Sequence, residues 1–484
     1  MAQNTLAVCI IARDEASSIA RAIASVKPIA DEVIVVDTGS TDNTPDIARS
    51  LGAKVVRHVW EDDFSKARNA AIEAATCEWI LFLDADETVC EESLEEVRSA
   101  ISGDADAFFV RIESRVRSQA GKTFVNSFPR LFRRLPGVEF EGRVHEQVLP
   151  SLQRLGARIA HSNIVIRHAG YDLSKEEMAE KLWRNCRLLE ADLEKDPGNG
   201  LTLFHLGETH NLLGNHEEAV QYYSRAIENG RLPREVESVC LQNLASALIK
   251  LKRYGEALEK LDAAERANSR LLGVYLLRAS ARFGMKDYEQ AEAEIRRYLQ
   301  KARHFVGDAT YRLDFNPDVA SALILIAKCR FARGDNEGAK QALEEALRLD
   351  NNYDAHVLLA KLAFEQLRFA DAVVHFEQAL KISPEDERLH FELAKSYLAC
   401  GELARAIEVM TEATERGMGG SEFLKCLGIL KIKAEDFEGA IEAYQAALAK
   451  DPSDEDARKK LAGLYHHLGM AETALSVLNG CKHL

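Results

Sequence analysis

The sequence predicts two regions of different class: an α/β domain built on a mainly parallel sheet, then an all-α solenoid of helical hairpins. Three observations predict them. Short apolar runs alternate with helical stretches from Leu6 to about Tyr171, the pattern of a mainly parallel sheet with helices on its faces. Beyond Gly198 the period becomes helical and a small residue recurs: Ala339, Ala372, Ala406, Ala440 and Ala474 lie 33, 34, 34 and 34 residues apart. The 484 residues, 46% apolar and 29% charged, are too many for one ordinary domain and too apolar for a disordered chain.

The first region reads in order as follows. LAVCII (6–11), EVIVVD (32–37), KVVRHV (54–59) and WILFLD (79–84) are buried strands. Helices are predicted between them at Ala16–Val26, Pro45–Leu51 and Phe64–Thr76. After the second strand, Gly39 permits a tight turn, and Thr44 is placed to cap a helix that starts at Pro45. Beyond Glu113 the pattern is strand-like until His168, and this includes VHEQV (144–148). Ser174 with Glu177 forms a capping box. It opens a helix whose apolar stripe is Met178, Leu182, Cys186, Leu189 and Leu193, stopped at Pro197-Gly198. The predicted organisation is a first domain at 1–172, a connector helix at 173–197, and repeats at 198–484.

The recurring small residue extends back through Ala291, Ala257 and Ala219, giving eight units. Twelve residues before each lies another small residue: Gly207, Ala245, Ala279, Ala327, Ala360, Ala394, Gly428 and Ala462. Paired small residues let antiparallel helices approach closely, and a large residue four positions on, such as Tyr223, Phe376 or Tyr444, plugs the gap. Two intervals depart from the period, at 38 and 48 residues, and the second holds an insert near 301–316, read as a loop. His205, His210 and His216 lack the spacing of a helical metal pair and read as packing and surface residues. The last helix, around Ala471–Leu478, carries Ala474, Leu475 and Leu478 with no polar capping helix after it, which predicts a homodimer or partner docking there.

Bulk properties exclude several function classes. The net charge of −15 argues against nucleic acid as a partner. No apolar stretch reaches the length of a transmembrane segment, and the opening MAQNTLAVCIIARDE lacks the basic start of a secretory signal, so the expected location is cytoplasmic. Nine scattered cysteines without a CxxC pair read as reduced thiols filling buried gaps. One basic stretch stands out, with Arg111, Arg115, Arg117, Lys122, Arg130, Arg133, Arg134 and Arg143. It is either a solvated sheet face or a wall facing a phosphate-bearing ligand.

The chemistry concentrates where strands end. WILFLDADETV runs from five apolar residues straight into Asp84, Asp86 and Glu87. In an open parallel sheet, ligands bind beyond the carboxyl ends of strands. Residues i and i+2 point the same way there, and two carboxylates so placed repel unless something neutralises them. A hard divalent cation does so and can also hold a diphosphate. Asp104 and Asp106 form a second DAD that precedes a strand in a glycine-containing turn, where acids need only solvent. Asp37 ends the second strand, and Arg13 and Glu15 lie at the corner after the first.

CIIARDEASSIARAIASV, DEVIVVDTGSTDNT, FSKARNAAIEAA and WILFLDADE, in that order, resemble glycosyltransferase family 2 with the GT-A (Rossmann-like) fold. FEGRVHEQV and IRHAGYDLSKEEMAEKLWRN resemble the subgroup in which tetratricopeptide repeats follow, and the repeat pattern itself resembles that family. The resemblance implies an inverting transferase, a nucleotide-sugar donor (usually a UDP-sugar) and a divalent cation, Mn²⁺ or Mg²⁺. Carried over by residue, it implies that Asp37 holds the base or ribose, Asp84 the ribose or metal-bound phosphate, and Asp86 the metal. It implies further that Arg68 of KARN lines the nucleotide pocket, with Arg13 and Glu15 at the first-strand corner.

Charge develops on the leaving diphosphate and on an oxocarbenium-like sugar, and the acceptor must lose a proton to a carboxylate on the opposite face. Glu146 is one candidate base, with the adjacent His145 as a metal or phosphate ligand; Glu87 is the competing base. The repeats would hold the acceptor, a protein or peptide, through protein–protein contacts. An envelope glycan such as a lipopolysaccharide core is the alternative acceptor. A repeat scaffold with an inactive transferase domain is the alternative of another class.

Overall fold

A computed structural model of the protein describes residues 4–115, 123–168, 175–303 and 318–479. The chain divides into two compact units, Met1–Pro317 and Asp318–Leu484. The first holds the α/β region together with the first three helical hairpins, and the second holds five hairpins.

The four predicted strands are present as β1 (Leu6–Ala12), β2 (Glu32–Asp37), β3 (Lys54–Arg57) and β4 (Trp79–Asp84). Four more follow: β5 (Glu87–Val89), β6 (Ala107–Arg115), β7 (Thr123–Arg133) and β8 (Ile159–His168). They form one sheet in the order β3-β2-β1-β4-β7-β6-β8-β5. Its first half is parallel, β7 is antiparallel to both β4 and β6, and β8 runs parallel to β6. Helices α1 (Ile19–Val26), α2 (Thr44–Ser50), α3 (Phe64–Ala74) and α4 (Leu94–Ile101) connect the strands. A short helix not expected from the sequence, α5 (Leu149–Arg154), starts beside Pro150 and interrupts the strand-like stretch.

Strand parity divides the core in two. Leu6, Val8, Ile10, Trp79, Leu81 and Leu83 pack on the face that carries α1. Ala7, Cys9, Ile80 and Phe82 pack on the opposite face with Ala67 and Ala71 of α3. Asp84 continues the parity of Ile80 and Phe82, so its carboxylate is delivered to the α3 side. The expected cap at Thr44 is not what forms. Asn43 holds the cap position without a side-chain bond, while Thr44 is fully buried and its hydroxyl joins Asp42 at 2.5 Å.

VHEQV is not a strand. Gly142 (φ 94) and His145 (φ 58) are both left-handed, and the segment is a loop closed by Glu141 and Gln147. Helix α6 (Lys175–Lys195) follows; its predicted cap Ser174 lies outside the described residues. Cys186 and Leu189 of its stripe are buried together with Leu206 of α7 (Gly200–Leu212), which forms the first hairpin with α8 (His216–Glu228). Most of the predicted insert, from residue 304 on, also lies outside the described residues. The 38-residue interval arises in part because the helix Arg234–Lys250 has 17 residues where α7 has 13.

Sixteen helices from Gly200 to Leu478 form the eight predicted hairpins among the described residues. Ala219, Ala257, Ala291, Ala339, Ala372, Ala406, Ala440 and Ala474 are all buried. The plug acts within its own hairpin. A Cβ on Gly428 would stand 2.7 Å from the Tyr444 ring, and one on Gly207 2.6 Å from the Tyr223 ring. Gly428→Ala is therefore expected to destabilise despite the roughly 1 kcal/mol that alanine gains in helix propensity, because overpacking costs about 1–3 kcal/mol. Thermal denaturation checks this: G428A should melt lower, and G428A with Tyr444→Leu should recover. A higher melting point for G428A alone would mean the ring is not wedged there. On the helix Ala471–Leu478, the face assigned to self-association leaves Leu475 and Leu478 exposed, at 60% and 49%. Among the described residues, eight cysteines are free, six of them buried.

Candidate functional site

Of the candidate residues, Asp37 and Asp84 lie at the carboxyl ends of β2 and β4, and Arg13, Glu15 and Asp86 lie just beyond those of β1 and β4. Asp84 leaves β4 on the α3 face. There Arg68, on the second turn of α3, donates through Nη2 to Asp84 Oδ1 at 2.8 Å and through Nε to Glu146 at 2.6 Å. Arg130 on β7 donates to Asp84 Oδ2 at 3.1 Å and lies 3.7 Å from Glu87. Glu87 is 2% exposed and accepts the Asp84 backbone N–H at 2.8 Å. Two guanidinium groups and three carboxylates thus form one continuous network.

Its electrostatics follow from burial and pairing. Burial alone would raise the Asp84 pKa, but Arg130 and Arg68 outweigh it and hold the carboxyl well below the usual range. Burial opposes the charge on Arg68, yet Asp84 and Glu146 keep it firmly protonated. Glu87 goes the other way: burial and the Asp84 charge exceed the help from Arg130, and its pKa is raised. Arg68 is 5% exposed, with its guanidinium carbon 5.5 and 5.4 Å from the Phe82 and Phe140 rings. It lies beneath the acids, where it neutralises them, rather than on an open pocket wall.

Asp86 has a different partner. His168, at the end of β8, places Nε2 2.9 Å from Asp86 Oδ2, and its Nδ1 is 3.4 Å from the Ser114 hydroxyl. Antiparallel pairing of β5 with β8 sets Glu87 opposite His168 and brings the ring there. Burial would lower the imidazole pKa, but Asp86 raises it. Glu15 joins the same cluster: burial raises its pKa, and the charges of Asp86, Asp42 and Asp84 add to this while a bond from Ser18 opposes it. Asp37 is 4% exposed and accepts the Ser40 N–H at 3.1 Å. Arg13 is exposed beside Asp14. Arg184 of α6 lies close enough that, after burial, Arg13 helps to lower its pKa.

His145 does not join the metal set expected for it. Its left-handed backbone turns the ring onto His205 of α7, with centroids 4.4 Å apart, and the imidazole beside Asp86 is His168. Among the described residues, no group of three or more His, Cys, Asp or Glu side chains is gathered for a metal ion. The basic stretch is not one wall. Arg130 faces the acids, whereas Arg133 lies over Trp79 and pairs with Glu78, Arg134 bonds the Cys77 carbonyl, and Arg143 pairs with Asp192 of α6. The control motif behaves as expected of a structural turn: Asp106 accepts the Arg158 N–H at 2.9 Å and pairs with Arg133 and Arg158.

Comparison with known proteins gives a family for each region of the chain. The model of the family described as Glycosyl transferase family 2 matches residues 7–177. Tetratricopeptide repeat models match 202–229, 320–353, 363–424 and 431–480. A TPR repeat-containing protein of Synechococcus elongatus is 39% identical over 252 residues, 51% of this chain and 61% of that protein. The SPbeta prophage-derived glycosyltransferase SunS of Bacillus subtilis is 32% identical over 229 residues, 46% of this chain and 54% of that protein. An uncharacterized glycosyltransferase of Rickettsia felis is 48% identical over 88 residues, 18% of this chain and 31% of that protein. The chain therefore spans less than two thirds of the length of the curated relatives it matches.

Proposed function

We propose, for a chain whose residues 7–177 belong to glycosyltransferase family 2 and whose helical hairpins are tetratricopeptide repeats, that it transfers a sugar from a nucleotide-sugar to an acceptor, with inversion at the anomeric carbon. The observation that carries this reading is the acidic edge of β4. Asp84 is kept ionised by two buried arginines, while Asp86 and Glu15 stand beside it at strand ends. A domain kept only as scaffold has no physical need for that concentration of charge.

The donor is taken to be a UDP-sugar. Asp37, buried at the end of β2, is assigned to its base or ribose, Asp84 to ribose or phosphate, and Arg13 and Glu15 to the neighbouring corner. A Mn²⁺ or Mg²⁺ ion would be held by Asp86, with His168 beside it. Such ions are commonly bound by one or two carboxylates plus substrate phosphates, so Asp86 needs no larger protein cluster around it. When bound, the ion would stabilise the charge on the departing diphosphate. Glu146 is assigned as the base that takes the acceptor proton. Arg68 fixes one of its oxygens. Glu87, walled in by Arg130 and the Asp84 N–H, is assigned instead to supporting Asp84.

Repeat arrays offer long surfaces suited to extended segments, and this supports a protein or peptide acceptor. The test is a thermal-shift screen of nucleotides and nucleotide-sugars with Mn²⁺. A UDP-sugar at about 100 times its Kd should stabilise the native state by about 2.7 kcal/mol. If no nucleotide or nucleotide-sugar moves the transition, the transferase reading fails. Mass spectrometry of co-expressed proteins then looks for the added sugar.

A further inference from the structure

The loop Glu141–Gln147 contacts the helical region and the acidic network at consecutive residues. Two backbone hydrogen bonds of 2.9 Å between Glu141 and Gln147 tie its ends. Within it, Arg143 pairs with Asp192 of α6 at 2.8 Å, and Val144 is buried against Cys186, Leu188, Leu189 and Leu206. His145 lies nearly flat on His205 of α7, with 23° between the ring planes. Glu146 then turns back and accepts Arg68 Nε. His145 adopts a φ of 58, a left-handed conformation uncommon for a residue with a side chain. The His205 ring lies against it, and its own Nδ1 is 3.0 Å from Glu208 Oε2.

We propose that His205 of the first repeat is a positioning residue for the donor site: by clamping His145 it sets Glu146, and through Glu146 it sets Arg68 and Asp84. The donor identity rests on the transferase reading above; the clamp rests on geometry alone. Because the loop is short and tied at both ends, a shift of His145 must be taken up by its neighbour in the chain. Arg68 would then lose one of its two carboxylates. Two discrete elements, the stack and the ion pair, are joined through one peptide unit, the kind of contiguous path along which coupling is physically carried. The first repeat is thereby part of the donor site.

The experiment uses the full chain with His205→Ala and His205→Phe. Two readouts are taken: hydrogen exchange at the Glu141 and Gln147 amides, and UDP affinity with Mn²⁺ by calorimetry. H205A should speed exchange at those amides at least tenfold and weaken UDP at least fivefold. H205F, which keeps a flat ring, should bring both back to within twofold of wild type. Unchanged exchange and affinity in H205A overturn the proposal, as does H205F behaving like H205A. If wild type binds no UDP, the donor reading fails while the exchange readout still decides the clamp. Should H205A not fold, His145→Gly removes the same stack at a position where glycine suits the backbone, and the same two changes are expected.

Discussion

Replacing Asp86 by Ala is expected to lower sugar transfer by roughly 10²–10³-fold or more, the scale seen when one preorganised group that stabilises developing charge is removed. The fold should persist, because the Asp86 side chain is about a quarter exposed, forms one described ion pair, and stands just past the end of β4 rather than within it. The two effects are separable: melting temperature within a few degrees of wild type, and release of nucleoside diphosphate from the donor nearly abolished. His168→Ala should produce a smaller loss, since His168 touches Asp86 rather than standing in its place. A D86A protein that retains half the wild-type turnover would remove Asp86 from the reaction.

Replacing Arg68 by Met should act on stability. The substitution leaves Asp84 and Glu146 without their shared cation, with Glu87 close behind them. Breaking one partner of a buried ion pair costs about 3–5 kcal/mol, more than the gain from burying a methionine against Phe82 and Phe140 recovers. For a domain of this size, the melting point of the α/β region should fall by roughly 10 °C. The sign of the pH dependence is fixed by the depressed pKa of Asp84. Its stabilising contribution is complete above the unfolded value near 4 and is lost only as pH falls through the lower folded value. In R68M the Asp84 pKa moves back up, so the deficit against wild type should be largest at neutral pH and shrink as both proteins are acidified below about pH 4. A deficit independent of pH would mean that packing around Phe82 and Phe140, rather than charge, is what Arg68 provides.

The parts of the site that were legible in the sequence are those fixed by local pattern. An apolar run that ends in acids locates Asp84 and Asp86, because strand parity and the position of the strand end are both local. Small residues at a fixed period locate all eight hairpins for the same reason. Arg130 and His168 depend on which strands pair, and in what register. Arg130 reaches Asp84 because β7 is antiparallel to β4, and His168 reaches Asp86 because β8 is antiparallel to β5. No short window encodes either pairing. The strand-like composition of VHEQV conceals a left-handed residue, His145. The nearest available signal was Gly142, three residues earlier, which marks a bend.

The two glycine–tyrosine hairpins carry a consequence for how such arrays can be recombined. Where the first helix offers Gly207 or Gly428, the second supplies a tyrosine; where it offers alanine, the second supplies leucine, isoleucine, phenylalanine or methionine. In the two glycine units, the ring on the second helix occupies the space that an alanine Cβ on the first would need. Exchanging whole hairpins between positions in the array keeps each pair matched, whereas exchanging single helices would leave a hole in one unit and a collision in another.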